Sequence, residues 1–266
     1  MRNLFLCLCV CLINVVSGPA YAGEHVALNS ELKVASLIHS VYDGLDFTGS
    51  DILSYDAFAA AYKGYLNLKE EAKLNDEKQV LSVCDFNLPS SSKRLWIIDL
   101  STGKILFNTY VAHGMESGGD YATSFSNGMD SHKSSLGFYV TGDTYNGDHG
   151  TSLRLNGMDN GYNSAALARG VVVHGARYVC DNYITGNMRL GRSWGCPAVP
   201  DDMKEPIINT IKGGTCFFIY HNDKKYAKAS RWLNRKLFTL PEPNFDELMQ
   251  ISKKAPQTAY KVQNTH

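Results

Sequence analysis

The chain has 266 residues, of which 44% are hydrophobic and 20% charged, and its 26 basic and 26 acidic residues give a formal net charge of 0. This balance argues against a nucleic-acid-binding protein, which needs a concentrated basic surface, and we expect no nucleic-acid partner. The length accommodates one substantial domain with a buried core, alone or with a small additional unit.

The N-terminus has the pattern of a secretory signal peptide. Arg2 makes the start basic, Leu4 to Val16 is apolar except for Asn14, and Ala20-Tyr21-Ala22 is a small-residue cleavage site. The alternative is a membrane anchor, but the apolar run is short for a bilayer span. We therefore predict that residues 1–22 are a cleaved signal peptide, that the protein is exported, and that no transmembrane segment remains.

Four cysteines would follow the cleavage site: Cys84, Cys180, Cys196 and Cys216. In an exported protein they allow two disulfides, or one disulfide with one buried and one reactive thiol. Sequence alone does not pair them, although Cys84–Cys180 is our preferred bridge if one forms. Cys216 lies in the apolar run "GTCFFIY", and we expect it in the core.

Residues 23–90 are predicted to form a helical N-terminal region. "NSELKVASLIHSVY" has helical apolar spacing with Asn29 or Ser30 as a candidate cap, and "SYDAFAAAYKGYLNLKEEAKL" repeats the spacing with Phe58, Ala61, Tyr65 and Leu68. At the other end, residues 223–266 are predicted to form a short helix and a tail.

Residues 91–222 have a different residue pattern, in which short apolar runs alternate with polar, glycine-containing stretches. "RLWIIDL" and "ILFNTYVAHG" flank the turn "STGK" and predict a hairpin, and further strands are predicted in "SLGFYVTGDTY", "TSLRLNG", "GVVVHG" and "GTCFFIYH". The fold class is therefore mainly β with a small α-helical N-terminal part. Long loops in such a domain often carry function.

The stretch Ser193-Trp194-Gly195-Cys196-Pro197 is the candidate nucleophile loop. A thiol attacks as the thiolate, so it needs a base or a positive environment, and it needs donors for the developing oxyanion. Gly195 permits backbone angles that other residues resist, and Pro197 stiffens the exit. The alternative is a buried structural thiol or half of a disulfide.

Three histidines occur in His-Gly dipeptides and are candidate bases. His174 is the strongest, because it ends the apolar run "VVV" and we expect it at the mouth of a rigid strand. His113 also ends an apolar run and is expected to line the same cleft, whereas His149 lies in a loop and is the weaker candidate. For each of them a structural or surface role is the alternative.

"VVVHGARYV" and "GRSWGCPAV" resemble the catalytic domain of the YkuD-like L,D-transpeptidases, specifically the murein L,D-transpeptidase catalytic domain family. The resemblance extends over about residues 92–222, and it implies a mixed β-sandwich or barrel as the catalytic domain. It implies peptidoglycan stem peptides as the partner, no metal and no cofactor, and a periplasmic or cell-envelope location reached across the inner membrane. It says nothing of the oligomeric state.

The resemblance also implies residue roles. Cys196 would attack the carbonyl of the third stem residue, and His174 would take the thiol proton and later protonate the leaving D-alanine. The backbone N–H groups of Trp194, Gly195 and Cys196 would bind the oxyanion, and Ser193 would brace the loop. The residues expected to border the substrate are Gly175, Trp194, His113 and Arg192.

Two departures from the common family pattern affect these expectations. Trp194 stands where many members have His, and it is expected either to stack on substrate or to pack the loop. Pro197-Ala198 replaces a hydrophobic residue followed by Arg or Asn, so the group that binds substrate carboxylates is open. The candidates are Arg177, Arg189 and Arg192, each with a plain surface charge as the alternative.

Other functions fit less well. Ser90–Lys93 and Ser101–Lys104 match the S-x-x-K of penicillin-type serine enzymes, but no accompanying S-x-N or K-T-G exists. The sequence has no dense zinc-ligand cluster. An L,D-carboxypeptidase that trims stems and a non-catalytic wall-binding domain of the same fold stay as alternatives to the transpeptidase.

Overall fold

The computed structural model describes residues 20–237, with side chains from residue 31 onward. The helices are α1 Ala20–Asp43, α2 Tyr55–Glu70, α3 Asp181–Asn187, α4 Lys204–Ile211, α5 Lys224–Ala229 and α6 Arg231–Asn234. The strands are β1 Val80–Asp85, β2 Leu95–Asp99, β3 Lys104–Thr109, β4 Gly137–Gly147, β5 Gly150–Gly157, β6 Val172–Ala176, β7 Ala198–Pro200 and β8 Cys216–Tyr220.

The strands form one mixed sheet in the order β3-β2-β1-β8-β4-β5-β6-β7. The pairs β1–β8 and β6–β7 are parallel, and the other pairs are antiparallel. The chain beyond β3 returns to the other edge of the sheet, where the N–H of Ala112 donates to the carbonyl of Ala198 at 2.8 Å. This bridge makes the sheet barrel-like, and the predicted fold class, mainly β with helices in the N-terminal part, is confirmed.

Helix α2 is the principal helix packed on the sheet. The Ser54 side chain caps it by accepting from the N–H of Ala57 at 3.3 Å. Its buried face contacts β1 and β8, because apolar residues recur at helical spacing along one side. The predicted core positions on this face are all buried: Phe58, Ala61, Tyr65 and Leu68.

Helix α1 begins earlier than the sequence suggested. It starts at Ala20, so Asn29 and Ser30 lie within the helix and neither caps it. A polar residue before an apolar run is a weak signal by itself, because Asn and Ser are also tolerated inside helices. The rest of the predicted signal peptide, residues 1–19, and the predicted tail beyond residue 237 lie outside the described residues.

The predicted helical region 23–90 also contains a strand, which corrects that prediction. Strand β1 lies in the middle of the sheet between β2 and β8. Residues Leu81–Asp85 are all buried, so the run "VLSVCD" lacks the polar alternation that marks a half-exposed strand. The predicted hairpin β2–β3 and the strands β4, β5, β6 and β8 are present as expected.

None of the described cysteines forms a disulfide. Cys84 is fully buried in β1 and Cys216 is fully buried in β8, so the core placement of Cys216 is confirmed. Cys180 precedes α3 in a half-exposed position, where its thiol donates to the carbonyl of Arg177. The preferred Cys84–Cys180 bridge is therefore wrong, since one partner lies inside the sheet and the other in a surface turn.

Within residues 20–237, no helix has the length and apolar character needed to cross a membrane.

We predict that Gly64→Ala destabilises the protein by about 1–3 kcal/mol, as overpacking of a core does. A Cβ at Gly64 on α2 would lie 2.0 Å from Cζ of Phe138, a fully buried ring. Urea unfolding monitored by circular dichroism measures the change. Gly186→Ala is the matched helical control, because nothing lies within 4 Å of its Cβ position. Equal stability of the two variants would contradict this packing.

Candidate active site

The candidate site lies where β6 and β7 run side by side. The parallel register pairs His174 with Ala198, Gly175 with Val199, and Ala176 with Pro200. A separate small apolar cluster supports this edge of the sheet, formed by Ala112, Ala176, Val179, Leu190 and Ala198. His174 thus lies within β6 rather than at its end, which corrects the expectation from sequence, because β7 extends the pairing beyond it.

The thiol of Cys196 is half-exposed beside the start of β6. It donates to the carbonyl of Gly170 at 3.7 Å. Burial raises the pKa of the Cys196 thiol, while the N–H of Val172 and the charge of Arg169 act in the opposite direction. Since the net shift is upward, the resting group is a thiol, and it needs a base before it can attack.

His174 has the tautomer that such a base requires. Only 3% of the residue is exposed, and Nδ1 lies 2.9 Å from the carbonyl of Gly175. A carbonyl only accepts, so Nδ1 carries the proton and Nε2 has a free lone pair. Burial first, and the nearby His149 in addition, lower the pKa of His174, so its imidazole is neutral at pH 7.

Cys196 lies just before β7, and His174 lies within the neighbouring strand β6. Cys196 precedes the paired residue Ala198 by two positions, and its thiol lies by Val172, two positions before His174. Two strand residues span roughly 7 Å, and residues two apart face the same side. No hydrogen bond joins the thiol to the imidazole among the described contacts, which is common before substrate binds.

Ser193 holds the loop that carries Cys196. Its hydroxyl donates to the carbonyl of Cys196 at 2.6 Å and accepts from the N–H of Gly195 at 3.0 Å. The latter bond occupies a group that was expected to bind the oxyanion, so Gly195 serves the loop's shape instead. The N–H groups of Trp194 and Cys196 have no acceptor within the described part of the chain, and they are the donors left for an oxyanion.

Gly195 is required where it is for a steric reason. Its φ of +123° lies in a region that L side chains rarely adopt, and a Cβ there would approach the carbonyl oxygen of Lys133 to 2.7 Å. The hydroxyl of Ser134 adds a second tie, since it donates to the carbonyl of Gly195 at 3.2 Å and accepts from the N–H of Gly114 at 3.0 Å. The loop is therefore held from both sides.

Arg169 is the site residue that sequence reasoning missed. Its guanidinium donates only to neutral acceptors, and it forms no ion pair among the described residues. Those acceptors are the carbonyls of Ser126 and Lys133 and the hydroxyls of Ser131 and Ser135. The charge therefore stays uncompensated beside the thiol. The available signal was its position, directly before Gly170 and β6.

His113 is not in the cleft, which does not fit its expected role at the substrate. It is fully buried, and its Nδ1 lies 2.7 Å from a guanidinium nitrogen of the equally buried Arg94. Burial and the Arg94 charge lower the pKa of His113 to about 4. Its backbone still matters, because its carbonyl accepts from the N–H of Ser193 at 3.0 Å.

The arginines proposed from sequence also have structural engagements. Arg192 donates from Nη1 to the carbonyls of Met115 and Gly118 and so fixes a short 3₁₀ turn. Arg189 donates to the carbonyl of Leu190, and Arg177 is exposed. Gly175 accepts from His174 and leaves no space for a side chain, since a Cβ would meet Lys204 at 2.5 Å; it positions the base.

Comparison with known protein families gives the family of the chain. The family described as the L,D-transpeptidase catalytic domain matches residues 50–220. The chain belongs to that family. The match begins before residue 91, where the sequence analysis placed the start of the catalytic domain, and it includes α2 and β1. None of the curated proteins matches the chain.

Solved L,D-transpeptidase structures show weaker similarity. An L,D-transpeptidase from Mycobacterium smegmatis is 13% identical with a TM-score of 0.34, over 54% of this chain and 59% of that one. The L,D-transpeptidase LdtMt1 in complex with imipenem is 11% identical with a TM-score of 0.31, over 53% of this chain and 67% of that one. An L,D-transpeptidase from Xylanimonas cellulosilytica is 13% identical with a TM-score of 0.31, over 71% of this chain and 93% of that one. The chain thus spans less than two thirds of the first of these structures.

Two aromatic stacks involve candidate site residues of this L,D-transpeptidase family member. Trp194 is 72% exposed, and one face of its indole stacks on His132 with ring centroids 5.0 Å apart. In the second stack, His149 lies on His174 with ring centroids 4.3 Å apart. Tyr178 also lies near the thiol, and burial with the nearby Cys196 and Tyr183 raises the pKa of its phenol to about 12.

The described residues contain no group of three or more His, Cys, Asp or Glu side chains arranged to hold a metal ion.

We predict that Arg169→Met slows alkylation of Cys196 by iodoacetamide several-fold at pH 7. Loss of the positive charge raises the pKa of the thiol, so less thiolate is present. Arg169→Lys keeps the charge and should retain most of the rate, and the exposed Arg177→Met is the control. An unchanged rate in Arg169→Met would show that the guanidinium does not act on the thiol.

Proposed function

We propose that this L,D-transpeptidase family member is an exported cysteine peptidyltransferase that acts on peptidoglycan stem peptides through a thioester at Cys196. One observation carries the proposal: the half-exposed thiol of Cys196 neighbours a strand whose buried His174 presents a free Nε2. The raised thiol pKa adds support, because a nucleophile that rests as a thiol needs a base of this kind.

In the first half-reaction, Nε2 of His174 takes the proton of the Cys196 thiol as Sγ attacks the carbonyl carbon of the third stem residue. The carbonyl π electrons move to oxygen, and the N–H groups of Trp194 and Cys196 stabilise this oxyanion. When the intermediate collapses, the C–N bond breaks. The His174 imidazolium gives its proton to the leaving D-alanine, and the acyl group stays on Sγ as a thioester.

In the second half-reaction, the amine of a neighbouring stem attacks the thioester carbonyl. His174 accepts the amine proton, the C–S bond breaks, and the thiolate of Cys196 regains its proton from the imidazolium. The product is a new amide cross-link. With water as the acceptor, the same steps release a carboxylic acid, which is the carboxypeptidase alternative.

The environment of the site favours these steps over a passive wall-binding role. Ser193 and Ser134 hold the nucleophile loop in one shape, which keeps the attacking sulfur in place without any bound partner. Arg169 favours the thiolate that leaves in the second half-reaction. A binding domain without chemistry has no need for a buried imidazole on the strand next to a thiol.

The proposed location is the periplasm or the cell envelope. This part of the proposal depends on the signal-peptide pattern of residues 1–22, with its basic start, apolar run and Ala-x-Ala site.

The test is to incubate residues 23–266 with muropeptides that carry tetrapeptide stems and to analyse the products by mass spectrometry. We expect cross-linked dimers, or loss of terminal D-alanine if water is the acceptor. Cys196→Ala should abolish both products, and His174→Ala should lower the rate by about 10²–10⁴-fold, as loss of a general base does.

If the folded protein with a reduced thiol yields neither product, the proposed reaction is wrong. Saturable binding to wall material under those conditions would favour the non-catalytic alternative.

A further inference from the structure

Residue His149 is unused by the mechanism above, yet its ring lies on the catalytic base. It belongs to the turn between β4 and β5, where Gly147 pairs with Gly150 and only Asp148 and His149 lie between them. Strand β5 then pairs Ser152 with His174 of β6. The hairpin tip therefore extends beside β6, and this places His149 over His174.

The contact between the two imidazoles is a face-to-face stack. Their centroids are 4.3 Å apart and their planes differ by 19°. His174 is almost fully buried, whereas His149 is exposed on the hairpin tip. One face of the His149 ring thus covers the base and the other meets solvent, so His149 forms the outer wall of the pocket that holds His174.

Burial confines the ring of His174, but among the described contacts only one hydrogen bond orients it. That hydrogen bond runs from Nδ1 to the carbonyl of Gly175. One bond fixes an edge of the ring but permits rotation about that edge. A flat group pressed on the ring's face restricts this rotation, and so it holds Nε2 in one direction.

Other charged groups surround the pair. Lys204 of α4 and Asp201 before it form an ion pair at 3.0 Å, and both lie against Gly175. The amine of Lys204 also lies near Gly150 of the hairpin. Asp148 flanks His149 on the tip, and Arg169 lies on the side of the thiol. His149 is the group in face contact with the base.

We propose that His149 is a positioning residue, which clamps the His174 ring from the tip of the β4–β5 hairpin in the orientation that accepts the Cys196 proton. The inference rests on the proposed function, because it assumes that His174 is the base for Cys196. It assigns a role to the histidine that sequence alone ranked lowest of the three His-Gly candidates.

The test measures the rate of Cys196 alkylation by iodoacetamide between pH 4 and 9, since this reading needs no peptidoglycan substrate. Three variants of the full chain are compared with the wild type: His149→Ala, His149→Phe and His174→Ala. We expect His149→Ala to lower the plateau rate roughly tenfold, as misplacement of a catalytic group does. His149→Phe retains a flat ring on the base and should restore most of the plateau.

The pH profile separates this role from a merely structural one. Removing His149 exposes His174 and removes the electrostatic effect of His149 that lowers the pKa of His174. Both changes raise the pKa of His174, so the acid limb of the His149→Ala profile should move to higher pH. Asp148→Ala, at the adjacent exposed position, is the control and should keep the wild-type profile.

The outcomes distinguish the two hypotheses. If His174→Ala slows alkylation but His149→Ala does not, the clamp is wrong and the proposed function stands. If His174→Ala leaves the rate unchanged, the proposed base is wrong. If His149→Phe is as slow as His149→Ala while the melting temperatures of both equal the wild type, stacking is not what positions the base.

Discussion

The parallel pairing of β6 with β7 is the constraint on which the rest of the site depends. It sets His174 opposite Ala198, and the short chain from Cys196 to Ala198 leaves the thiol little freedom to be elsewhere. A parallel pair needs a long crossover, and here the crossover contains α3 and the nucleophile loop. The same connection that the fold requires therefore carries Cys196, the proposed nucleophile.

A second constraint is electrostatic, and it concerns cations placed among neutral partners. Arg94 is fully buried and donates to carbonyls and to His113 rather than to a carboxylate. Arg169 is similarly surrounded by carbonyls and hydroxyls. Since no adjacent acid neutralises Arg169 among the described residues, its field reaches Cys196. The molecule thus holds positive charge near the thiol without bringing a competing base or anion into the cleft.

The nucleophile loop is stabilised mainly by serine hydroxyls. Ser193 and Ser134 each bind a backbone N–H and a carbonyl, so that the turn satisfies its own polar groups. This arrangement depends on glycine at position 195, where a side chain would collide with the carbonyl oxygen of Lys133. It also leaves Trp194 free to project outward, and its indole stacks on His132 rather than entering the core.

The sequence by itself determined the elements whose patterns are local. The hairpin around "STGK" and the apolar face of α2 were both legible, because each depends on residues close together in the chain. The role of the S-x-G-C loop and the upstream His-Gly stays a prediction. Strand β1 was not legible, since a strand buried on both faces has no alternation. The start of α1 and the absence of a Cys84–Cys180 bridge could not be predicted from the sequence, because both depend on the tertiary surroundings of these residues.

Only the tertiary structure decided which of three similar histidines does what. His113, His149 and His174 each precede a glycine, yet one is buried against Arg94, one stacks from a hairpin tip and one is buried within β6. Likewise, the positive charge at Cys196 comes from Arg169 and not from Arg192, although Arg192 is nearer to Cys196 in the sequence. These roles depend on distances through space and on burial. Strand register fixes the distances and the burial, and residue type and spacing in the sequence do not encode that register.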